Sequence, residues 1–121
     1  MDMKDIKWSE LPFGYLKADY NVRCTFKDGK WGPIEVSDSE YVPLHISASC
    51  LHYGQEAFEG LKAFRGKDGK VRVFRMDENA KRFQNSARGV AMEPLPIEIF
   101  EEMVRTVVKL NQNMIPPYGT G

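Results

Sequence analysis

Lys67-Asp68-Gly69-Lys70-Val71-Arg72-Val73-Phe74-Arg75-Met76-Asp77-Glu78-Asn79-Ala80-Lys81-Arg82-Phe83-Gln84-Asn85-Ser86-Ala87-Arg88-Gly89-Val90-Ala91 changes its period part-way along, and that change decides the fold. Asp68-Gly69 is a short-range hairpin signal, and Val71 to Arg75 alternates as a strand does. From Asp77 the apolar residues Ala80, Phe83, Ala87 and Val90 or Ala91 recur at helical spacing, which predicts a helix over 77–91 with Asp77 capping its start.

Working outward, Leu61 to Phe64 supplies the partner strand of that hairpin. An earlier hairpin is predicted where Asp19 to Phe26, with Tyr20, Val22, Cys24 and Phe26 on one face, runs into Lys27-Asp28-Gly29-Lys30 and Trp31. The two Lys-Asp-Gly-Lys words read as two uses of one turn chemistry, not as an internal repeat, because their flanks share no period. Downstream, Glu93-Pro94-Leu95-Pro96 breaks the first helix, and a second begins near Pro96 or Ile97. Its stripe is Phe100, Met103, Val104, Val107, Val108 and Leu110, with acidic residues early and Lys109 late, as the helix dipole favours. The fold class is α+β: an antiparallel sheet built from hairpins, with two main helices on one face. Residues 1–121 read as one small domain. Its ending, Pro116-Pro117-Tyr118-Gly119-Thr120-Gly121, reads as a boundary inside a longer protein, and apolar surface left for a missing partner is expected.

Composition narrows the function. Seventeen basic and seventeen acidic residues cancel, so no field favours nucleic acid or anionic lipid. No stretch approaches a membrane-spanning length, which makes the cytoplasm the default compartment. Cys24 and Cys50 stand apart without a paired motif and read as buried reduced thiols.

The chemistry concentrates in Leu51-His52-Tyr53-Gly54-Gln55-Glu56-Ala57-Phe58-Glu59-Gly60-Leu61-Lys62-Ala63-Phe64-Arg65. Aromatics and glycines together suit the wall of a small-molecule pocket, but on residue types alone Phe58, Leu61 and Phe64 read more readily as core. Gly60 reads as a bulge or turn glycine as readily as a place where backbone passes a ligand. Arg82, off the apolar stripe, reads locally as a solvated helix arginine. The chain carries no nucleophile elbow, zinc spacing, phosphate-binding loop or dinucleotide fingerprint. His45 and His52 make a poor metal pair, and Ser47, Ser49 and Ser86 have no evident base, so no catalytic residue is assigned.

Leu51-His52-Tyr53-Gly54, Phe58-Glu59-Gly60-Leu61-Lys62-Ala63-Phe64, Val71 to Arg75, and Asn79 to Arg82 with Ser86-Ala87 resemble, in order, the N-terminal small domain of branched-chain amino-acid aminotransferases. These are fold-type IV pyridoxal-phosphate enzymes. The resemblance implies amino-group transfer between leucine, isoleucine or valine and 2-oxoglutarate in a homodimer. It also implies that the lysine joined to pyridoxal 5'-phosphate lies in a larger domain beyond this chain, so that the fragment alone is inactive. Carried over by position, Arg82 is expected to bind the cofactor phosphate. Phe13, Tyr53 and Phe58 are expected to line the substrate's apolar pocket, Tyr53 reaching a neighbouring subunit, and Gly60 to pass beside cofactor and substrate. Glu59 matches a family carboxylate but is given no proton-transfer role.

Two rival readings differ from this one. A D-amino-acid aminotransferase or aminodeoxychorismate lyase shares the fold and cofactor, although the run Phe58 to Phe64 favours the branched-chain group. A standalone binding module of the same fold is the more distant alternative.

Overall fold

The computed structural model describes residues 15–119, so Phe13 lies outside the described residues. Four short strands build the first hairpin region. β1 (Asn21–Arg23) pairs antiparallel with β4 (Glu35–Ser37), placing Val22 opposite Val36, and β2 (Phe26–Lys27) pairs with β3 (Lys30–Trp31). The ladder breaks between them at Pro33, which has no N–H to give, while Gly32 N still donates to Thr25 O at 2.8 Å. A one-turn helix, α1 (Ser49–His52), follows, and then β5 (Ala63–Arg65) pairs antiparallel with β6 (Val71–Val73). The α+β class holds, with the strands arranged as three separate antiparallel pairs.

The identical Lys-Asp-Gly-Lys words form two different turns, which corrects the expectation of one turn chemistry. Asp28 and Gly29 both take positive φ, 53° and 79°, as a two-residue type I′ loop requires. In the second hairpin only Gly69 is left-handed, at 79°, and the loop is longer: Gly66 N donates to Lys70 O at 2.8 Å and Gly69 N to Gly66 O at 3.0 Å. The difference comes from Asp68. Its carboxylate accepts Lys70 N at 3.1 Å and both terminal nitrogens of Arg72, at 3.1 and 2.7 Å, which holds the loop open. Gly66 makes room for that pair, since a Cβ there would sit 2.5 Å from Arg72 Nη1.

The two main helices are α2 (Met76–Gly89) and α3 (Ile97–Leu110). Asp77 is not the cap of α2. Arg75 holds the cap position in a left-handed conformation, φ 52°, and Asp77 and Glu78 instead lie in the first turn, where their charge suits the helix dipole. The helix also ends at Gly89, short of Ala91. Met92 N reaches back to Ala87 O at 2.9 Å and Ala91 N to Arg88 O at 3.1 Å, a Schellman closure with Ala91 at φ 57° where glycine is usual. Gln55 Nε2 reinforces the stop by donating to Val90 O at 2.9 Å. α3 begins after Pro96, as expected, because a first-turn donor is dispensable there.

Helix α2 packs on α3 through Ala80, Phe100 and Val104, with Leu61, Val73, Met76 and Phe83 closing round them. The Phe83 and Phe100 rings tilt at 48° with centroids 5.9 Å apart, within the range where aromatic pairs attract. Of the trio with two readings, Leu61 joins the core, whereas Phe58 and Phe64 are exposed. At the far end of α3, buried Asn111 ties down the entering chain: its Nδ2 donates to Tyr20 O and Val107 O, and its Oδ1 accepts from Tyr20 N. Cys24 and Cys50 are free thiols but half-buried, not buried: Cys24 lies in the break between β1 and β2, and Cys50 in α1, which has no buried residue. No helix among the described residues is long and apolar enough to cross a membrane. Large apolar side chains, among them Ile46, Tyr53, Phe58 and Phe74, stand exposed.

Candidate functional site

Asn79 and Arg82 are three residues apart on α2 and therefore project from one face. That face meets the run Phe58-Glu59-Gly60. Glu59 Oε2 accepts Arg82 Nε at 2.8 Å, and Oε1 accepts Arg82 Nη2 and, at 2.9 Å, Asn79 Nδ2. Asn79 Nδ2 also donates to Gly60 O at 3.0 Å, so the segment is pinned to the helix through both side chain and backbone. The Glu59 side chain is only 5% exposed, covered by its partners and not by a thick core, while Arg82 remains 67% exposed. Hydrogen bonding from Arg82 holds the Glu59 carboxyl below the usual carboxylate range, assisted by Asn79 and opposed by partial desolvation.

A guanidinium has five N–H groups in a planar fork. Glu59 takes the Nε and Nη2 edge of Arg82, and Nη1 makes no hydrogen bond to the described residues. Arg82 also lines an open groove of about 650 Å³, together with Phe74, Arg75, Glu78, Asn79 and Lys81, among others. Glu78 stands between two of the cations, 3.7 Å from Arg75 and 3.6 Å from Lys81. Arg75 reaches this wall from its left-handed cap position, a conformation that costs an ordinary residue roughly 1 kcal/mol or more. The donor set suits a phosphate: one pre-oriented guanidinium, two further cations and an amide.

The other expected site residues are placed unequally. Gly60 adjoins Phe58, since a Cβ on Gly60 would lie an ordinary 3.5 Å from the Phe58 ring. Gly60 is not in the left-handed region and lies in extended chain between α1 and β5. Phe58 is 86% exposed beside it. Tyr53 closes α1, with its N donating to Ser49 O at 2.8 Å, and the residue is 88% exposed. The structure thus gathers Phe58, Gly60 and Arg82 round Glu59, and leaves Tyr53 on the α1 loop.

Sequence reasoning missed Arg75, Lys81 and Asn79 as groove residues and Glu59 as the anchor of Arg82. The polar face of α2 is visible in sequence, but which distant carboxylate it meets is not. Contrary to expectation, Ser47 has a histidine beside it: His45 Nδ1 lies 2.7 Å from Ser47 Oγ. Ser47 N donates to the same nitrogen at 3.1 Å, so this is an exposed local turn and carries no sign of an activated nucleophile. His52 Nε2 donates to Ile46 O, and no group of three metal-ligating side chains exists among the described residues.

No protein-family model matches the chain. Known proteins do. It is 43% identical over 119 residues to the branched-chain-amino-acid aminotransferase of Haemophilus influenzae, covering 98% of this chain and 35% of that relative. The enzyme of the same name from Helicobacter pylori is 38% identical over 99% of this chain and 35% of its own length. Branched-chain-amino-acid aminotransferase 5, chloroplastic, of Arabidopsis thaliana is 36% identical over 99% of this chain and 29% of its own length. The chain therefore spans about a third of the length of the curated relatives it matches.

Proposed function

We propose that this chain, homologous over nearly its whole length to part of the branched-chain-amino-acid aminotransferases, is the small domain of such an enzyme and grips the cofactor's phosphate. The observation that carries the reading is Arg82 itself, held by Glu59 through Nε and Nη2, left without a partner on Nη1 among the described residues, and lining a groove with Arg75 and Lys81. A planar, permanently charged fork suits a dianionic phosphate better than a lysine would. When bound, pyridoxal 5'-phosphate supplies the electron sink through which amino groups pass between amino acids and 2-oxo acids.

The residues of this chain position and enclose. Arg82 binds the phosphate and Asn79 steadies the neighbouring Gly60 carbonyl. Gly60 owes its missing side chain neither to backbone conformation nor to crowding within the chain, which agrees with close approach of a ligand at that point. Phe58, Tyr53 and Phe13 supply apolar wall for a branched side chain and keep water from it. Their present exposure at Phe58 and Tyr53 fits surfaces that a second domain or subunit completes in a homodimer. The proton-transferring lysine belongs to the remainder of the enzyme, so the chain alone is inactive. Free thiols at Cys24 and Cys50 fit a cytoplasmic setting.

The test is an amino-donor assay on the full-length protein with 2-oxoglutarate as acceptor. L-Leucine, L-isoleucine and L-valine should all react, with overlapping preferences because each methylene distinguishes substrates by only about 1–3 kcal/mol. Preference for D-alanine would transfer the chain to the D-amino-acid group, and the absence of any transamination would favour a binding module.

A further inference from the structure

We infer that Glu59 is a positioning residue for phosphate recognition, setting which edge of Arg82 faces the groove. The inference rests on the phosphate-binding reading of Arg82 given above and deepens it. Arg82 is long and two-thirds exposed, so unaided it would sample many rotamers and lose that freedom on gripping an anion. Glu59 removes the freedom beforehand. Its carboxylate takes Nε at 2.8 Å and Nη2 as a two-point contact, which fixes both the position and the plane of the guanidinium. Two N–H groups on Nη1 and the second N–H of Nη2 then point away from Glu59.

The carboxylate is itself held. Asn79 Nδ2 donates to Glu59 Oε1 at 2.9 Å and to Gly60 O at 3.0 Å, so the amide that holds the carboxylate is itself fixed to the backbone next to it. Glu59 is nearly covered where an unpaired carboxylate would be expensive, which keeps it charged and on Arg82. Its negative charge subtracts from the groove's potential. Arg75 and Lys81 on the same wall add two positive charges against the one negative charge of Glu78 between them, so the groove stays cationic while Glu59 supplies the orientation.

The experiment compares binding of pyridoxal phosphate and of pyridoxal, which lacks the phosphate, to the cofactor-free full-length protein, by spectroscopic titration. The ratio of the two affinities isolates phosphate recognition from general damage to the fold. Glu59→Gln should cut the ratio roughly tenfold while pyridoxal affinity holds, because a neutral amide turns a donor toward Arg82. Asn79→Ala, which frees the anchor but leaves the ion pair, should cut it by a smaller factor and serves if Glu59→Gln does not fold. Equal losses for both ligands, or an unchanged ratio in both variants, would overturn the inference. Arg82→Ala separates the two levels: a collapsed ratio there beside an unchanged one in Glu59→Gln sinks only the role of Glu59. An unchanged ratio in Arg82→Ala sinks the phosphate reading and this inference with it.

Discussion

Replacing Asn111 by alanine removes three side-chain hydrogen bonds, two of which join residues 91 positions apart. Its amide donates to Tyr20 O at 2.9 Å and Val107 O at 2.8 Å, and its carbonyl oxygen accepts Tyr20 N at 3.1 Å. Val107 O keeps a partner, because Asn111 N donates to it along the helix at 3.1 Å. The loss therefore falls on the two backbone groups of Tyr20, a residue exposed enough for water to reach them in part. Two net hydrogen bonds at about 1 kcal/mol each, plus incomplete rehydration, give a destabilisation of roughly 2–3 kcal/mol. Asn111→Asp should be at least as damaging, since a carboxylate cannot donate to the Tyr20 and Val107 carbonyls and puts negative charge at the unfavourable end of α3. Urea unfolding is the assay. With a slope of about 1–3 kcal/mol per molar, the midpoint should fall by roughly 1 M with the slope unchanged. A change under about 0.5 kcal/mol would refute the reasoning, because the chain entering at Tyr20 would then not be docked on α3.

Three further outcomes follow from local geometry. Ala91→Gly relieves a left-handed alanine at the end of α2 and should stabilise by about 0.5–1 kcal/mol after the entropy of the added glycine is counted, seen as a higher urea midpoint. Glu59 is held below its ordinary value of 4.5, so the stability it contributes is complete above that value and is lost as the pH falls through the lowered one. Acid unfolding should therefore show the parent protein and Glu59→Gln converging as the pH drops, and a constant gap would contradict the ion pair. Asp68 is held at about 2, chiefly by Arg72. Arg72→Ala should move it back toward its ordinary 3.8 in a carboxyl NMR titration, with little change in thermal midpoint because both partners are exposed.

What was legible in the sequence was whatever depends on near neighbours. The stripe of α3 from Phe100 to Val108 could be read because an amphipathic helix repeats its apolar face, and Phe100 and Val104 are indeed buried. Both hairpins announced themselves through Asp-Gly. Their difference did not, because it depends on the Arg72 side chain folding back onto Asp68 in the loop and on the space left by Gly66. The end of α2 was misplaced by two residues for a similar reason: alanine at position 91 looks like a helix former, and the Gln55 side chain that helps stop the helix comes from 35 positions away. In the candidate site, family likeness indicated Arg82, Phe58 and Gly60, and α2 meets the segment carrying the last two through Glu59 and Asn79. That Glu59 is the anchor of Arg82 follows only from a contact across 23 positions, which no local pattern encodes.

The most direct measurement is a crystal structure of the full-length protein with pyridoxal phosphate bound. A phosphate oxygen should lie within hydrogen-bond distance of Arg82 Nη1, with Glu59 still on the opposite edge of the guanidinium. Phosphate seated on other residues, with Arg82 left facing solvent, would contradict the account.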